Sequence, residues 1–330
     1  MPSIRILTEA ELRTAVPLDL AAVDCVEAAF RALAGGEVVM PPILSMDLHH
    51  DGGEFDAKTA YVPGLESFAF KMSTAFYGNV ALGLPSLSGL MVVFSTKNGL
   101  VEAVLLDNGY LTDVRTAAAG AVVAKYLARD DASTAAILGT GLQARLQLEA
   151  LTLVRSIERA TIWGRDLAKA EVLAQSMTEN LGIAVSASAD AAEAVAEADI
   201  IVTTTPAEAP ILKADWLRAG QHVTAMGCDA PIKNELDPHC LTKADIYVPD
   251  RLSQTRSLGE LRVAIESGLI PADRDFAELG SIIVGAAPGR RTADEITLAD
   301  LTGTGVQDTA IATLARERAA AAGAGQSIES

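Results

Sequence analysis

The sequence predicts an α/β protein with two domains, one built on a parallel sheet with helices on both faces and one of α+β type. The chain has 330 residues, which is long for a single domain. Half of its residues are hydrophobic and only 4% are aromatic, so the core is aliphatic. Apolar strands alternate with helical segments from Ala135 onward, whereas the first third of the chain has strands joined by a hairpin turn.

A glycine turn, Gly139-Thr140-Gly141, organises the second domain. It follows a short apolar strand, Ala135 to Leu138, and precedes a segment with helical periodicity that begins at Leu142. Glycines at such a turn allow backbone N–H groups to approach a pyrophosphate, and the helix N-terminus adds partial positive charge. The third glycine of the motif is replaced by Ala144. Tight turns between buried elements also use glycine, but the strand before and the helix after favour a Rossmann-type dinucleotide-binding domain.

The end of the next strand, Arg159–Trp163, bears on the choice of nicotinamide cofactor. NAD-specific domains place an acidic residue there to bind the ribose 2′-hydroxyl. This chain has Gly164, which leaves space, and Arg165, which suits a 2′-phosphate, followed by an acidic residue, Asp166. We therefore expect NAD(P)H, with NADPH favoured.

Polar residues follow two later strands of this domain. The strand that begins at Ile200 ends in three threonines, Thr203 to Thr205, at the edge where cofactors bind; threonine also favours strands, so we expect one of the three to be functional. The strand His222–Met226 is followed by Asp229, between a glycine and Ala-Pro. This aspartate is well placed for chemistry, and the alternative is a turn-forming residue.

The first third of the chain predicts a mostly antiparallel sheet, with a hairpin at Asn98-Gly99. Lys71 lies among apolar strand residues. It either extends to the surface or holds a substrate carboxylate. Glu54, Asp56 and Lys58 share one strand face, which is either solvated or borders a pocket with Lys71.

Arg115 is predicted at the start of a helix of small residues that runs to about Leu127. Small residues allow close packing, so this arginine is expected near a domain junction. Its guanidinium either forms an exposed salt bridge or clamps a carboxylate in a bidentate manner.

Composition excludes several classes of partner. The net charge of −17 argues against nucleic acid and anionic membranes. The three cysteines do not suggest a disulfide framework, and the four histidines have no metal-ligand spacing, so we expect no metal. The N-terminus lacks the apolar run of a signal peptide and no stretch is long enough to span a bilayer, so a cytoplasmic location is expected.

The domain boundaries follow from these patterns. We predict one domain from residues 1–115 together with 306–330, and a second from residues 116–305. A helix at Ala310–Ala321 is expected to return to the first domain, and Ala322 to Ser330 are expected to be frayed.

The motifs, taken in order, resemble those of the ornithine cyclodeaminase/μ-crystallin family over nearly the whole chain. They are Phe70-Lys71, V-R-T-A-A-A at Val114–Ala119, G-T-G-L-Q at Gly139–Gln143, A-D-I-I-V-T-T-T-P at Ala198–Pro206, G-x-D-x-P-x-K-x-E-L at Gly227–Leu236, and P-G-R-R-T-A-D-E-I-T at Pro288–Thr297. The segments M-P-P-I, D-A-K-T-A-Y-V-P-G and D-N-G-Y-L-T-D-V-R-T-A-A-A-G-A-V resemble the ectoine-utilisation branch most.

This resemblance implies a role for each matching residue. Asp229, Lys71 and Arg115 are expected to be catalytic. Lys71 and Arg115 would also hold the substrate carboxylate, with Arg115 beside the nicotinamide. Gly303 and Thr304 replace the usual residues of a closing loop, and Thr304 is expected to contact substrate. Together with the glycine turn and the strand end described above, the expected cofactor contacts are Ser86, Gly139, Thr140, Gly141, Leu142, Gln143, Gly164, Arg165, Thr204, Thr205, Met226, Gly227, Cys228, Lys233 and Gly303.

Two departures from the family pattern concern the substrate. The chain has no arginine between Arg31 and Arg115, and Ser45 occupies the place of the usual carboxylate-binding arginine. Lys58 stands where the cyclodeaminase has a glutamate. A lysine there would repel the side-chain ammonium of ornithine, because like charges about 4 Å apart cost on the order of 1 kcal/mol even in water.

The resemblance implies a homodimer formed through the first-domain sheet and a reductase acting on a C=N bond next to a carboxylate. A cyclic 2-imino acid from ectoine or hydroxyectoine breakdown is the expected substrate, and a dicarboxylic imine is also open. Two alternatives remain: a redox-neutral cyclodeaminase with bound NAD, and a non-catalytic NADP-dependent binding protein.

Overall fold

The computed structural model describes residues 3–329. These divide into two compact units. The first unit comprises residues 3–115 and 304–329, and the second comprises residues 116–303.

The first unit is built on one sheet with helices packed on it. Its strands are β1 (Ser3–Thr8), β2 (Leu44–Leu48), β3 (Gly53–Thr59), β4 (Ser67–Ala75), β5 (Leu87–Ser95), β6 (Val101–Leu106) and, near the end of the chain, β14 (Gln326–Glu329). Its helices are α1 (Glu9–Ala15), α2 (Leu20–Ala34), the start of α3 (Tyr110–Leu127) and α11 (Gly305–Ala321), with a 3₁₀ segment at Tyr77–Leu82. Within the described residues, the strand order is β14-β1-β6-β5-β4-β3-β2, and only β1 and β6 pair in parallel.

Helix α11 is fixed to strand β4 by buried hydroxyl groups as well as by its apolar face. Thr309 Oγ1 accepts a hydrogen bond from Ala69 N at 3.1 Å, and Ser67 Oγ lies 2.9 Å from Thr313 Oγ1. A Cβ at Gly305 would lie 2.4 Å from the carbonyl oxygen of Thr59, so only glycine lets the helix start this close to β3. These contacts place the first turn of α11 beside the middle of the sheet.

Helix α3 begins at Tyr110, so the predicted start at Arg115 was wrong. The chain turns at Asn108 and Gly109, which have φ values of 50° and 90°, and Leu111 N donates to the Asp107 carboxylate at 2.9 Å. This turn and cap start the helix earlier than its small-residue composition suggests. Arg115 therefore lies in the second turn.

The end of the chain is ordered where fraying was expected. Strand β14 pairs antiparallel with β1, from Ser3 opposite Glu329 to Ile6 opposite Gln326. The prediction failed because the side chains of β14 are exposed and carry no apolar pattern, while the free edge of β1 supplies backbone hydrogen bonds. Ser330, also predicted to be frayed, lies outside the described residues.

The second unit is a parallel sheet with helices along its connections. Its strands are β7 (Thr134–Leu138), β8 (Arg159–Trp163), β9 (Ala184–Ser188), β10 (Ile200–Thr203), β11 (His222–Ala225), β12 (Ile246–Pro249) and β13 (Thr297–Asp300). Its helices are the rest of α3, α4 (Leu142–Val154), α5 (Leu167–Leu181), α6 (Ala191–Ala196), α7 (His239–Lys243), α8 (Leu252–Thr255), α9 (Glu260–Glu266) and α10 (Leu279–Ile283), with a 3₁₀ turn at Ala214–Trp216.

The strand order of the second unit is β12-β13-β11-β10-β7-β8-β9 in the part of the chain that the structure describes. All neighbouring strands are parallel, and β7 and β10, between which the order reverses, are adjacent. This is the topological switch point at which doubly wound sheets bind dinucleotides beyond the carboxyl ends of their strands. The predicted fold class is confirmed. No helix within residues 3–329 is long and apolar enough to cross a membrane.

Candidate functional site

The first unit contains three buried cations that lie close to one another. Lys71 is in the middle of β4 and is 3% exposed, and Lys58 is directly opposite it on β3. Arg115, on α3, is also buried. Of the two roles considered for Lys71, its burial rules out extension to the surface.

Asp308, in the first turn of α11, joins two of these cations. Its side chain is completely buried, with Lys71 Nζ at 3.3 Å and Arg115 Nε at 3.0 Å from its carboxylate oxygens. Both contacts are ion pairs between oppositely charged groups. Arg115 Nη1 also donates to Gln307 Oε1 at 3.2 Å. The exposed salt bridge considered for Arg115 is therefore replaced by a buried one.

The charges in this cluster shift the pKa values of its members. Burial lowers the pKa of Lys71 to about 8; the Asp308 charge opposes that shift, while Arg115 and Lys58 add to it. Burial alone would raise the pKa of Asp308, but the charges of Lys71, Arg115 and Lys58 outweigh it and lower the pKa. Lys71 and Arg115 thus share one carboxylate, which leaves one positive charge for an anion to balance.

Besides the atoms of the ion pairs themselves, two buried polar atoms near Asp308 have no hydrogen-bond partner among the described residues. They are Oγ1 of Thr304, which precedes α11, and Nε2 of Gln307. An unsatisfied buried polar group costs about 1–3 kcal/mol, so groups of this kind suggest a ligand that would bind them. Thr304 was predicted to contact substrate, and its orphaned hydroxyl fits that role.

The residues around Lys58 are more exposed than those around Lys71. Lys58 Nζ lies 3.9 Å from Asp56 Oδ2, and Ser45 Oγ donates to Asp56 Oδ1 at 2.6 Å. Glu54, further along β3, accepts a bond from the Tyr77 hydroxyl at 3.2 Å. Lys58 is buried although its neighbours on that face are partly exposed, so the face is not uniformly solvated.

The glycine turn of the second unit is tightly packed at its first glycine and open at its second. Gly139 has a φ of 143°, and a Cβ there would lie 2.3 Å from Thr204 Oγ1. Gly141 caps α4 with no side-chain hydrogen bond, and a Cβ on it would meet no atom within 4 Å. Leu142 and Gln143 then begin the helix. The open second glycine and the uncapped helix N-terminus fit a dinucleotide phosphate.

The space at Gly164 has an internal use that was not predicted. A Cβ there would lie 2.5 Å from Cγ2 of Thr140, so this glycine accommodates the glycine turn itself. Asp166 caps α5 by accepting from Ala168 N and Lys169 N at 3.1 and 3.4 Å. Arg165 is exposed at the same strand end.

Glu235 binds the ends of two neighbouring strands of the parallel sheet. It accepts hydrogen bonds from Thr203 Oγ1 at 2.7 Å, from Thr205 N and Oγ1 at 2.5 and 2.8 Å, and from Gly227 N at 2.8 Å. Burial raises the pKa of this fully buried carboxyl. Gly227 is required there because a Cβ would lie 2.2 Å from the Thr205 carbonyl oxygen.

Asp229 is exposed and is paired with a buried lysine. Lys233 Nζ donates to Asp229 Oδ1 at 2.6 Å, within the segment that follows β11. Met226 and Cys228 are buried beside it, and the thiol of Cys228 donates to the Lys233 carbonyl at 2.9 Å. Burial raises the pKa of Cys228, so this thiol is not a nucleophile.

The remaining predicted residues fall elsewhere in their units. In the first unit, Ser86 is half-buried before β5, and its carbonyl accepts from Phe76 N at 2.8 Å. In the second unit, Gly303 has a φ of 76° and donates its N–H to Asp250 at 2.8 Å. Lys58, Lys71, Arg115 and Thr304 are thus predicted site residues of the first unit, and the glycine turn, the threonines and Asp229 are those of the second.

Two important carboxylates, Asp308 and Glu235, were not singled out from the sequence. Asp308 follows the small-residue loop Leu301–Gly305 and is an acidic residue in a helix that is otherwise apolar on that side, which was the available signal. Glu235 lay in a recognised motif but had no assigned role. Within residues 3–329 no group of three or more His, Cys, Asp or Glu side chains is placed to hold a metal ion.

Comparison with known proteins identifies the family. The model of the ornithine cyclodeaminase/mu-crystallin family matches residues 4–323. An uncharacterized cyclodeaminase of Sinorhizobium fredii is 60% identical over 331 residues, covering 100% of both chains.

Solved structures agree with this match. The Thermococcus litoralis Delta(1)-pyrroline-2-carboxylate reductase in complex with NADH and L-proline has a TM-score of 0.93 and 30% identity, covering 98% of this chain and 99% of that one. An archaeal alanine dehydrogenase dimer with bound NAD has a TM-score of 0.92 and 36% identity, covering 99% of each chain. The chain therefore belongs to the ornithine cyclodeaminase/mu-crystallin family.

Proposed function

We propose that this protein is an NAD(P)H-dependent reductase of 2-imino acids, an oxidoreductase acting on a C=N bond next to a carboxylate. The observation that carries the proposal is the buried cluster of Lys71, Arg115 and Asp308, in which two cations share one carboxylate. An anionic group of the substrate would balance the remaining charge. Support also comes from the glycine turn and from the similarity to a reductase whose structure contains NADH and L-proline.

Each unit supplies one part of the chemistry. Lys71 and Arg115 of the first unit hold the carboxylate and so orient the imine carbon, which can lower a barrier by several kcal/mol. A reduced nicotinamide supplies hydride when bound to the second unit. Asp229 holds or moves the proton on the imine nitrogen, directly or through water, and its carboxylate stabilises the iminium cation that accepts hydride best.

We propose NADPH as the preferred cofactor. The acidic residue at the relevant strand end, Asp166, is occupied in capping α5, while Arg165 is exposed and suited to a 2′-phosphate. The two structural neighbours contain NADH or NAD, so NADH is the competing assignment.

For the substrate we propose a cyclic 2-imino acid, with an imine derived from ectoine or hydroxyectoine as the leading candidate on the motif resemblance. A dicarboxylic imine is a second candidate because of Lys58. A redox-neutral cyclodeaminase is disfavoured for ornithine, since Lys58 is buried beside Lys71 and would repel a second ammonium group.

We propose that the protein is a cytoplasmic homodimer formed through the first-unit sheet. Edge strand β2 exposes Leu44 and Met46, and the nearby 3₁₀ segment exposes Val80 and Leu82. An apolar sheet edge of this kind is normally covered.

Light scattering tests the dimer. A Met46→Glu variant should have the mass of one chain, whereas the control Val172→Glu on α5 should stay a dimer. A wild-type mass of one chain would contradict the proposal.

The proposed cytoplasmic location is supported by the three cysteines, which are free thiols.

The proposed reaction is tested by a cofactor-oxidation assay. Purified protein, given NADPH or NADH and a panel of cyclic and acyclic 2-imino acids, should oxidise one cofactor for each imine reduced, measured as falling nicotinamide absorbance. A cyclodeaminase would release ammonia from an amino acid without a net absorbance change. A binding protein would bind cofactor and turn over nothing. Either result would overturn the proposal.

Asp229→Asn is the matched variant for this assay. It should lower kcat by roughly 100-fold to 10,000-fold, which is the usual contribution of a general acid or base to the rate. The cofactor should still bind and quench the fluorescence of Trp163 at the end of β8. The control Asp237→Asn alters an aspartate that binds His239 in its own turn and should keep wild-type turnover. Unchanged turnover in Asp229→Asn would remove its catalytic role.

The low pKa of Lys71 predicts a pH dependence of substrate binding. Because this pKa is about 8, Lys71 loses its proton as pH rises past that value, and KM for the imino acid should increase there. Asp308 raises the pKa of Lys71, so in Asp308→Asn the increase should begin at lower pH. In Lys71→Arg the increase in KM near pH 8 should disappear, because arginine stays protonated at that pH. If the increase in KM persists in Lys71→Arg, another group is responsible for it.

Arg165→Ala tests the cofactor preference. Loss of one charge-assisted contact to a 2′-phosphate should lower kcat/KM with NADPH by about 10-fold or more, with little change for NADH. Lys169→Ala, at an exposed lysine on α5, is the control that should leave both values unchanged. An equal fall with both cofactors, or none, would refute a phosphate-binding role for Arg165.

A further inference from the structure

Glu235 is the common acceptor for two loops at the carboxyl edge of the parallel sheet. Thr205 follows β10 and Gly227 follows β11, and these two strands are neighbours. Each carboxylate oxygen of Glu235 accepts two hydrogen bonds, one pair from Thr205 N and Oγ1 and the other from Thr203 Oγ1 and Gly227 N. A carboxylate has about four acceptor positions, so these contacts use its full capacity.

The same carboxylate fixes the direction of the Thr205 hydroxyl. Because Thr205 Oγ1 donates its proton to Glu235, it can only accept a hydrogen bond from any other group. One such bond is weak, from Ala207 N at 3.3 Å. A hydroxyl oxygen has two lone pairs, so one acceptor position on this partly exposed residue remains for an N–H or O–H donor.

The contacts extend to the glycine turn through the neighbouring residue. Thr204 N donates to the Leu138 carbonyl at 2.9 Å, and Thr204 Oγ1 occupies the space that a Cβ at Gly139 would fill. The segment Thr203–Thr205, which Glu235 holds at both ends, therefore lies against the turn proposed to bind the pyrophosphate. A buried acceptor with four donors is a costly arrangement unless all are satisfied, as they are here.

We propose that Glu235 is a positioning residue of the dinucleotide site, which orients the Thr205 hydroxyl as an obligatory acceptor for an N–H or O–H donor of the cofactor. This inference rests on the proposed function, because it requires that a nicotinamide dinucleotide binds at the carboxyl edge of the second unit. It assigns to Glu235 a role in affinity and orientation and no direct contact with the reacting atoms.

The test is a double-variant cycle on cofactor affinity. Kd for NADH and NADPH is measured by fluorescence quenching in wild type, Glu235→Gln, Thr205→Val and the double variant. Glu235→Gln should weaken cofactor binding about 10-fold, because the N–H group of glutamine would face hydroxyl and backbone donors that now point at the carboxylate. In the Thr205→Val background the same change should have little further effect, and kcat should change less than KM for the cofactor.

Asp300→Asn is the matched control, because it also removes a buried carboxylate from the second unit. Asp300 is fully buried at the end of β13 and accepts from Tyr247 Oη at 2.7 Å and Leu261 N at 3.1 Å, outside the Glu235 contacts. It should lower the thermal midpoint without changing cofactor Kd. An equal loss of affinity in Asp300→Asn, or additive effects of Glu235→Gln and Thr205→Val, would show a merely structural role and overturn the inference.

The outcomes also separate this inference from the proposed function. Wild-type protein that binds neither dinucleotide would refute the proposed function itself. Wild-type binding with unchanged Kd in Glu235→Gln would refute only the inference. If Glu235→Gln does not fold, Thr205→Val and Thr205→Ser are compared instead. Valine removes the hydroxyl and serine keeps it, so Thr205→Val should weaken cofactor binding at least about fivefold more than Thr205→Ser. Equal losses of affinity would overturn the inference.

Discussion

The ion cluster of Lys71, Asp308 and Arg115 is the constraint on which the first unit depends. Removing one partner of a buried pair leaves an uncompensated charge and costs about 3–5 kcal/mol, so all three side chains have to be present together. Strand β4 supplies Lys71, helix α3 supplies Arg115 and helix α11 supplies Asp308. The C-terminal helix therefore does more than fill the core: it places a charge that the sheet and α3 need.

A buried cluster with an excess of one cation is a poor way to stabilise a fold, since apolar residues of similar volume would serve as well or better. We propose that the cluster instead prepares a binding site for an anion, in which the cations would already be desolvated and oriented. The second unit uses buried carboxylates in a different way. Glu235, Asp250 and Glu260 accept hydrogen bonds from backbone N–H groups of the loops that follow strands, and so hold those loops in one conformation.

Much of this arrangement could be predicted from the sequence, because its signals are local. The turn at Gly139–Gly141 is read from glycine spacing between a strand and a helix, and Lys71 stood out as a charge among apolar strand residues. Each of these predictions needs only neighbouring residues. The antiparallel sheet of the first unit was likewise predicted from its hairpin turn and apolar runs.

The rest depends on contacts between distant parts of the chain. Asp308 lies more than 190 residues from Arg115, and only the packing of α11 on β4 brings them together. Strand β14 pairs with β1 through backbone groups, so its side chains gave no signal. Gly164, predicted to leave space for a cofactor, also accommodates Thr140 of the glycine turn, and only the fold reveals that contact.

We propose that Lys71 and Arg115 hold the substrate carboxylate while Asp308 stays paired with both. A crystal structure of the protein with reduced cofactor and the amino acid product of its reaction tests this most directly. We expect the product carboxylate within hydrogen-bond distance of Lys71 Nζ and the Arg115 guanidinium, with both Asp308 ion pairs intact. A product whose carboxylate is bound elsewhere, with Lys71 and Arg115 in contact with Asp308 alone, would contradict it.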